Sequence, residues 1–262
     1  MSDDLGDQEA ELLRKAQARY GLDGYLKRHR YSESKLTLEA LERGCRRFEA
    51  EEPRDSMYRI ARFFIEEWWT DEAKLVDALS VVLLTWNSAF YRYGAFDSGA
   101  LEACIRENRP VIEGFRKRSI SSVVQADHEV ADELFTSVSK ALARVEEKKL
   151  ETPVGCVKAL HLLAPNFFPL WDQYIAPAYK CPYRDELSHI AYRVFCDHTR
   201  EIAGFVEKEI ASAPASTKSW LMSKPLLKRI DEYNYVTFTL PELQKEREKR
   251  KQKAKKSAAP GT

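Results

Sequence analysis

Apolar side chains return every three to four residues through nearly every long segment of this chain, a period that fits one buried face per helix. Over 54–69 the face is Tyr58, Ala61, Phe64, Ile65 and Trp68; after Asp71, an expected N-cap, it is Leu75, Val76, Leu79, Val82, Leu83 and Trp86, ending at Asn87. A third such helix is expected over 127–149, with Val130, Leu134, Val138, Leu142 and Val145 inward, and a fourth over 185–213. Shorter helices are expected over 9–20, 35–52, 98–108, 109–117 and 225–234, while 236–240 is too short to classify. Gly and Pro, the residues that break such patterns, number only 10 and 11. The reading is an all-α fold of two helical lobes with a cleft between them, since each helix needs neighbours on one side only.

At 262 residues and 44% hydrophobic, the chain can bury a real core. No apolar run approaches the length of a membrane span, and the first residues, MSDDLGDQEAE, lack a basic-then-apolar signal pattern. Cys45, Cys104, Cys156, Cys181 and Cys196 form no C-x-x-C pair and read as reduced thiols of a cytoplasmic protein. The five histidines, His29, His128, His161, His189 and His198, show no metal spacing, so no metal or cofactor is expected. The net charge of +1 hides an asymmetry: 241–262 holds eight Lys/Arg and three Glu, leaving 34 basic and 38 acidic side chains elsewhere. That division gives a domain over 1–240 and a basic, disordered or frayed tail that either binds nucleic acid or is simply solvated.

The stretch 152–179, TPVGCVKALHLLAPNFFPLWDQYIAPAY, punctuates this helical pattern twice. Thr152, Pro153, Val154 and Gly155 form a break from which a helix restarts, with Val157, Leu160, Leu162 and Leu163 apolar. A glycine there lets backbone N–H groups and the positive end of a helix meet an anion such as a phosphate, or it is an ordinary connection between packed helices. The second break delivers Asp172, after Phe168, Pro169, Leu170 and Trp171, to the start of another helical run. Asp172 is then an N-cap, or a carboxylate held against aromatic surface.

In this order of features the chain resembles the helix-hairpin-helix DNA glycosylase superfamily. Thr152-Pro153-Val154-Gly155 stands where the hairpin would be, with one of its two glycines, and Phe168-Pro169-Leu170-Trp171-Asp172 resembles the apolar run that ends in a catalytic Asp. Upstream, Leu83-Leu84-Thr85-Trp86-Asn87-Ser88 resembles the family's L-L-S-x-Q-x-T-like helix end, with Asn87 in the position of the amide beside the flipped nucleotide. Lys158 lies about one position from where lyase-type members carry their Lys.

The resemblance implies hydrolysis of the N-glycosidic bond of a base flipped out of duplex DNA, by a monomer without an iron–sulfur cluster, in repair or in defence against modified phage DNA. Asp172 would stabilise positive charge on the sugar, or orient water; Lys158 would be the amine of a lyase, although water attack is the expected route. Thr152, Val154, Gly155 and Asn87 would contact DNA, and Trp86, Tyr91 and Trp171 would wall the base pocket. The competing reading is a non-catalytic helical module for DNA or protein binding, which the acidic balance outside 241–262 favours.

Overall fold

A computed structural model describes residues 36–145, 151–181 and 188–257. The helix expected over 9–20 lies outside these residues, as does 258–262. The described chain is all-helical, with no strand among the described residues and one isolated antiparallel bridge, Phe96 to Arg144. In order the helices are α1 (Leu38–Glu51), α2 (Asp55–Glu67), α3 (Glu72–Trp86), α4 (Ser98–Glu107), α5 (Arg109–Arg116), α6 (Ala126–Ala141), α7 (Pro153–Leu163), α8 (Ile175–Ala178), α9 (Ser188–Ser212), α10 (Ala215–Leu221), α11 (Leu226–Asn234) and α12 (Leu240–Ser257). A π-helical turn, Tyr235–Thr239, joins α11 to α12. No described helix is long and apolar enough to cross a membrane.

Local chemistry sets the helix starts. Thr37, Asp71, Asp97 and Thr152 each accept a backbone N–H of the first turn, from Ala40, Lys74, Gly99 with Ala100, and Gly155 respectively. Such caps are worth about 1 kcal/mol each.

Helix α7 is the centre of the packing. Every residue from Gly155 to Leu163 is buried, and α2, α3 and α6 pack around it. A helix buried on all sides must be apolar nearly throughout, so Lys158 and His161 are its two exceptions. His161 is satisfied on both ring nitrogens: Nδ1 donates to the Phe168 carbonyl at 2.8 Å, and Nε2 accepts from the Tyr58 hydroxyl at 2.9 Å. Burial pushes its pKa down to about 3, against the opposing pull of the Phe168 carbonyl, so the ring is neutral.

Helix α11 is bound to α1 by buried charge as well as by apolar packing. The Arg229 guanidinium, fully buried, donates to Glu49 at 2.7 Å, Glu232 at 3.0 Å, Ser223 Oγ at 3.0 Å and the carbonyls of Trp220 and Leu221. Lys224 joins the same cluster to Asp55 at 3.0 Å and to Glu232. Removing one partner of such a network costs about 3–5 kcal/mol, because the others stay buried and unpaired.

Three sequence expectations are corrected. The helix expected over 127–149 stops at Ala141, where the chain turns to bond with the 95–96 segment, Val145 N–H donating to the Ala95 carbonyl. Val130 and Val145, expected inward, are 37% and 62% exposed. Among the described residues, 142–145 and 151–152 lie outside both α6 and α7, so the expected continuous helix does not feed α7 directly; 146–150 lie outside the described residues. The segment 236–240 is mostly the π-turn, and the tail expected to be disordered continues as α12 through Ser257.

Candidate functional site

A cavity of about 280 Å³ opens where the C-terminal end of α3, the first turns of α7, the segment 170–174 and the π-turn meet. Its walls carry the rings of Phe48, Trp86, Tyr174 and Tyr235, and its polar groups include Lys158, Asp172, Asp231 and Glu52. The volume is at the small end of ligand sites, roughly 300–1,000 Å³. A shallower depression of about 600 Å³ beside Lys218 and Met222 has no comparable pairing of acid, amine and aromatic wall.

Asp172 is a cap and a cavity group at once. Its Oδ1 accepts the N–H groups of Tyr174 and Ile175, both at 2.8 Å, which starts α8. Its Oδ2 accepts the Thr239 hydroxyl at 2.6 Å. Four lone-pair positions on a carboxylate exceed these three donors, so the anchored group keeps acceptor capacity.

Lys158 extends from the second turn of α7 to the C-terminal end of α3, where Nζ donates to the Trp86 carbonyl at 2.8 Å. It is 7% exposed. Burial pulls its pKa down to about 8, a shift that the nearby Asp172 and Asp231 oppose and Arg54 reinforces. At neutral pH roughly a tenth of such amines are unprotonated, a few hundredfold more than for an ordinary lysine near 10.4.

Trp86 walls the cavity, stacked on Tyr58 with centroids 6.0 Å apart and its indole N–H donated to the Arg54 carbonyl. Trp171 borders the cavity but is 1% exposed, its ring packed against Tyr192 and Phe195. Tyr91 is away from the cavity: it is 8% exposed and donates to the Leu142 carbonyl, with Phe90 and Phe96 against its ring. Its expected place in a base pocket is therefore corrected, because the break after α6 covers it.

The expected phosphate contacts are rearranged as well. Gly155 lies inside the first turn of α7, buried, and its N–H is donated to Thr152 Oγ1 at 3.0 Å instead of facing an anion. The Asn87 amide donates to the same Thr152 hydroxyl at 2.8 Å, tying the end of α3 to the start of α7. Asn87 and Val154 border the cavity mouth. The chain matches no family model, no curated protein and no solved structure.

Sequence reasoning missed half the cavity. Glu52 holds Arg54 by two side-chain bonds, 2.7 and 2.6 Å, and also accepts the Tyr235 hydroxyl. Burial would raise the Glu52 pKa, but the Arg54 and Tyr235 bonds hold it down to about 2. Asp231, 9% exposed, accepts the Lys228 ammonium at 2.7 Å; burial pushes its pKa up despite that partner. Thr239 and Tyr235 come from the π-turn, a rare geometry concentrated at functional sites. The available signal was the run Tyr-Val-Thr-Phe-Thr, β-branched and aromatic residues within an otherwise helical stretch.

Proposed function

We propose that this protein is a DNA glycosylase that takes a modified or damaged base, flipped from the duplex, into the aromatic cavity and hydrolyses its N-glycosidic bond. The observation that carries the reading is the convergence of Asp172, Lys158 and Trp86 on that one cavity, with Asn87 at its mouth. In this reading the cavity, where the end of α3 meets the first turns of α7 and the 170–174 segment, serves as the expected cleft.

As the bond from C1′ to the base nitrogen breaks, its electron pair leaves with the base and positive charge develops on the sugar. A fixed carboxylate lowers the energy of that charge without having to reorganise. Asp172 is held by three donors and supplies such a group. Water then adds to C1′ and gives its proton to a carboxylate such as Asp172, from which it passes to the departed base, completing hydrolysis and restoring the carboxylate. Trp86 and Tyr235 offer stacking surface for any base.

The lowered pKa of Lys158 favours a second route, in which its neutral amine attacks C1′, expels the base and forms a Schiff base that leads to strand cleavage. The binding-module alternative keeps the support of the acidic balance outside 241–262. The deciding experiment incubates the protein with duplexes carrying different base modifications and measures free base release, with borohydride trapping in parallel. Release without a trapped adduct favours water attack; release with an adduct that disappears in Lys158→Ala favours the amine. No release from any duplex, with binding intact, leaves the binding module.

A further inference from the structure

Helix α12 begins at the cavity and leaves it as a rod of positive charge. Leu243 borders the cavity, and Glu246 accepts the Tyr174 hydroxyl at 2.6 Å, which fixes the first turns of α12 to the segment that carries Asp172. In helical register with these two, Arg247 and Arg250 continue the same face outward, and Lys251 follows Arg247 by one turn. Arg247 and Lys251 are exposed and have no ion-pair partner among the described residues. Arg250 reaches Glu246 only at 3.7 Å and is 83% exposed, an ion pair worth little in water.

The helix has the wrong character for a membrane surface, which requires a broad apolar face. Over 244–257 its only apolar residue is Ala254, among seven Lys/Arg beyond Glu246. The excess of bases over acids is confined to 241–262, since the rest of the chain carries more acids than bases. A compact basic stripe on an acidic body fits a regular polyanion that lies beside the cavity mouth.

We propose that the stripe Arg247, Arg250 and Lys251 grips the sugar–phosphate backbone of a nucleic-acid duplex on one flank of the nucleotide that enters the cavity. The proposal rests on the cavity being a base pocket. From Leu243 to Arg250 the helix rises about 10 Å, or three steps of duplex at roughly 3.4 Å each, so the grip falls about three base pairs from the target. It is on backbone and carries no sequence preference, and it places the duplex against the same helix that leads back to Thr239 and Asp172.

The test uses full-length protein and an undamaged duplex, so that it needs no base release. Affinity of the wild type and of R247Q/R250Q/K251Q is measured across salt, with circular dichroism and thermal melts as checks of α12 and of folding. We expect the slope of log affinity against log salt to fall by roughly 0.9 for each phosphate that the variant no longer neutralises, about 2 to 3 in all. An unchanged slope in a folded variant overturns the proposal. So does binding of polyglutamate or of anionic vesicles, but not of duplex, through the same three residues. Duplex binding with the expected slope but no base release from any substrate supports the stripe and removes the catalytic reading alone.

Discussion

Thr239 donates its hydroxyl to Asp172 Oδ2 at 2.6 Å across 67 residues of sequence, and with the two N–H bonds to Oδ1 it leaves the carboxylate a single orientation. Asp172→Asn keeps an oxygen for the α8 cap and removes the charge. We expect it to fold, to bind duplex, and to release base slower by orders of magnitude. Thr239→Val removes a bond to a charged group, at a cost of about 1.5–3 kcal/mol, and Thr239→Ser should restore both stability and rate. Single-turnover base release beside thermal melts checks these; an Asp172→Asn protein as active as the wild type ends the assignment of chemistry to this residue.

Lys158 should cost stability. Its folded pKa of about 8 lies below the ordinary lysine value, so between pH 8 and roughly 10.4 the unfolded chain holds a proton that the folded chain has released, and stability rises with pH across that window. Below pH 8 the full penalty of the buried ammonium remains, about 3 kcal/mol at most, offset in part by the bond to the Trp86 carbonyl. Lys158→Met should therefore melt higher than the wild type at pH 7, with the gap closing towards pH 10. A variant that melts lower at pH 7 contradicts the burial argument.

Gly155→Ala should destabilise even though alanine is the better helix former by about 1 kcal/mol. The new Cβ would meet Thr152 Cγ2 at 2.7 Å, Thr152 Oγ1 at 3.0 Å and Asn87 Nδ2 at 3.2 Å. Thr152 cannot rotate away without breaking its bonds to Gly155 N–H and the Asn87 amide. Overpacking of this kind costs about 1–3 kcal/mol. Chemical denaturation gives the sign, and a variant as stable as the wild type would show that the α3–α7 joint yields easily.

His161 makes the protein acid-sensitive. Its folded pKa of about 3 is below the usual histidine value near 6.5, so the unfolded chain takes up a proton first and stability falls as pH drops from about 6.5 towards 3. Glutamine can still pair with Tyr58 and Phe168 but does not titrate. His161→Gln should remove part of the fall in melting temperature between pH 6.5 and 5, before the carboxylates protonate. Nitrogen NMR of the wild-type ring should show the Nδ1–H tautomer throughout that range.

The sequence made the helices legible because period and caps are local: Asp71 caps α3, and Asp172 starts α8. It also singled out Asp172, Lys158, Trp86 and Asn87, which border the same cavity. It failed where a distant segment decides. Leu142, Ala143, Arg144 and Val145 are compatible with helix, and only pairing with Ala95 and Phe96 takes them out of one. An apolar stripe says that a helix is covered, never by which partner, so Glu52, Asp231, Tyr235 and Thr239 could not be assigned to the wall opposite Lys158.

The π-turn also sets a rule for how this chain can change in length. Its five residues carry one more than an α-helical turn can hold, so deleting a single residue within Tyr235–Thr239 would let α11 run straight into α12 as one regular helix. Because the turn takes up its extra residue internally, everything downstream would keep nearly the same direction and height. A shortening by one residue here would leave Glu246 on Tyr174, whereas the same deletion within α11 or α12 would turn everything beyond it by about 100°.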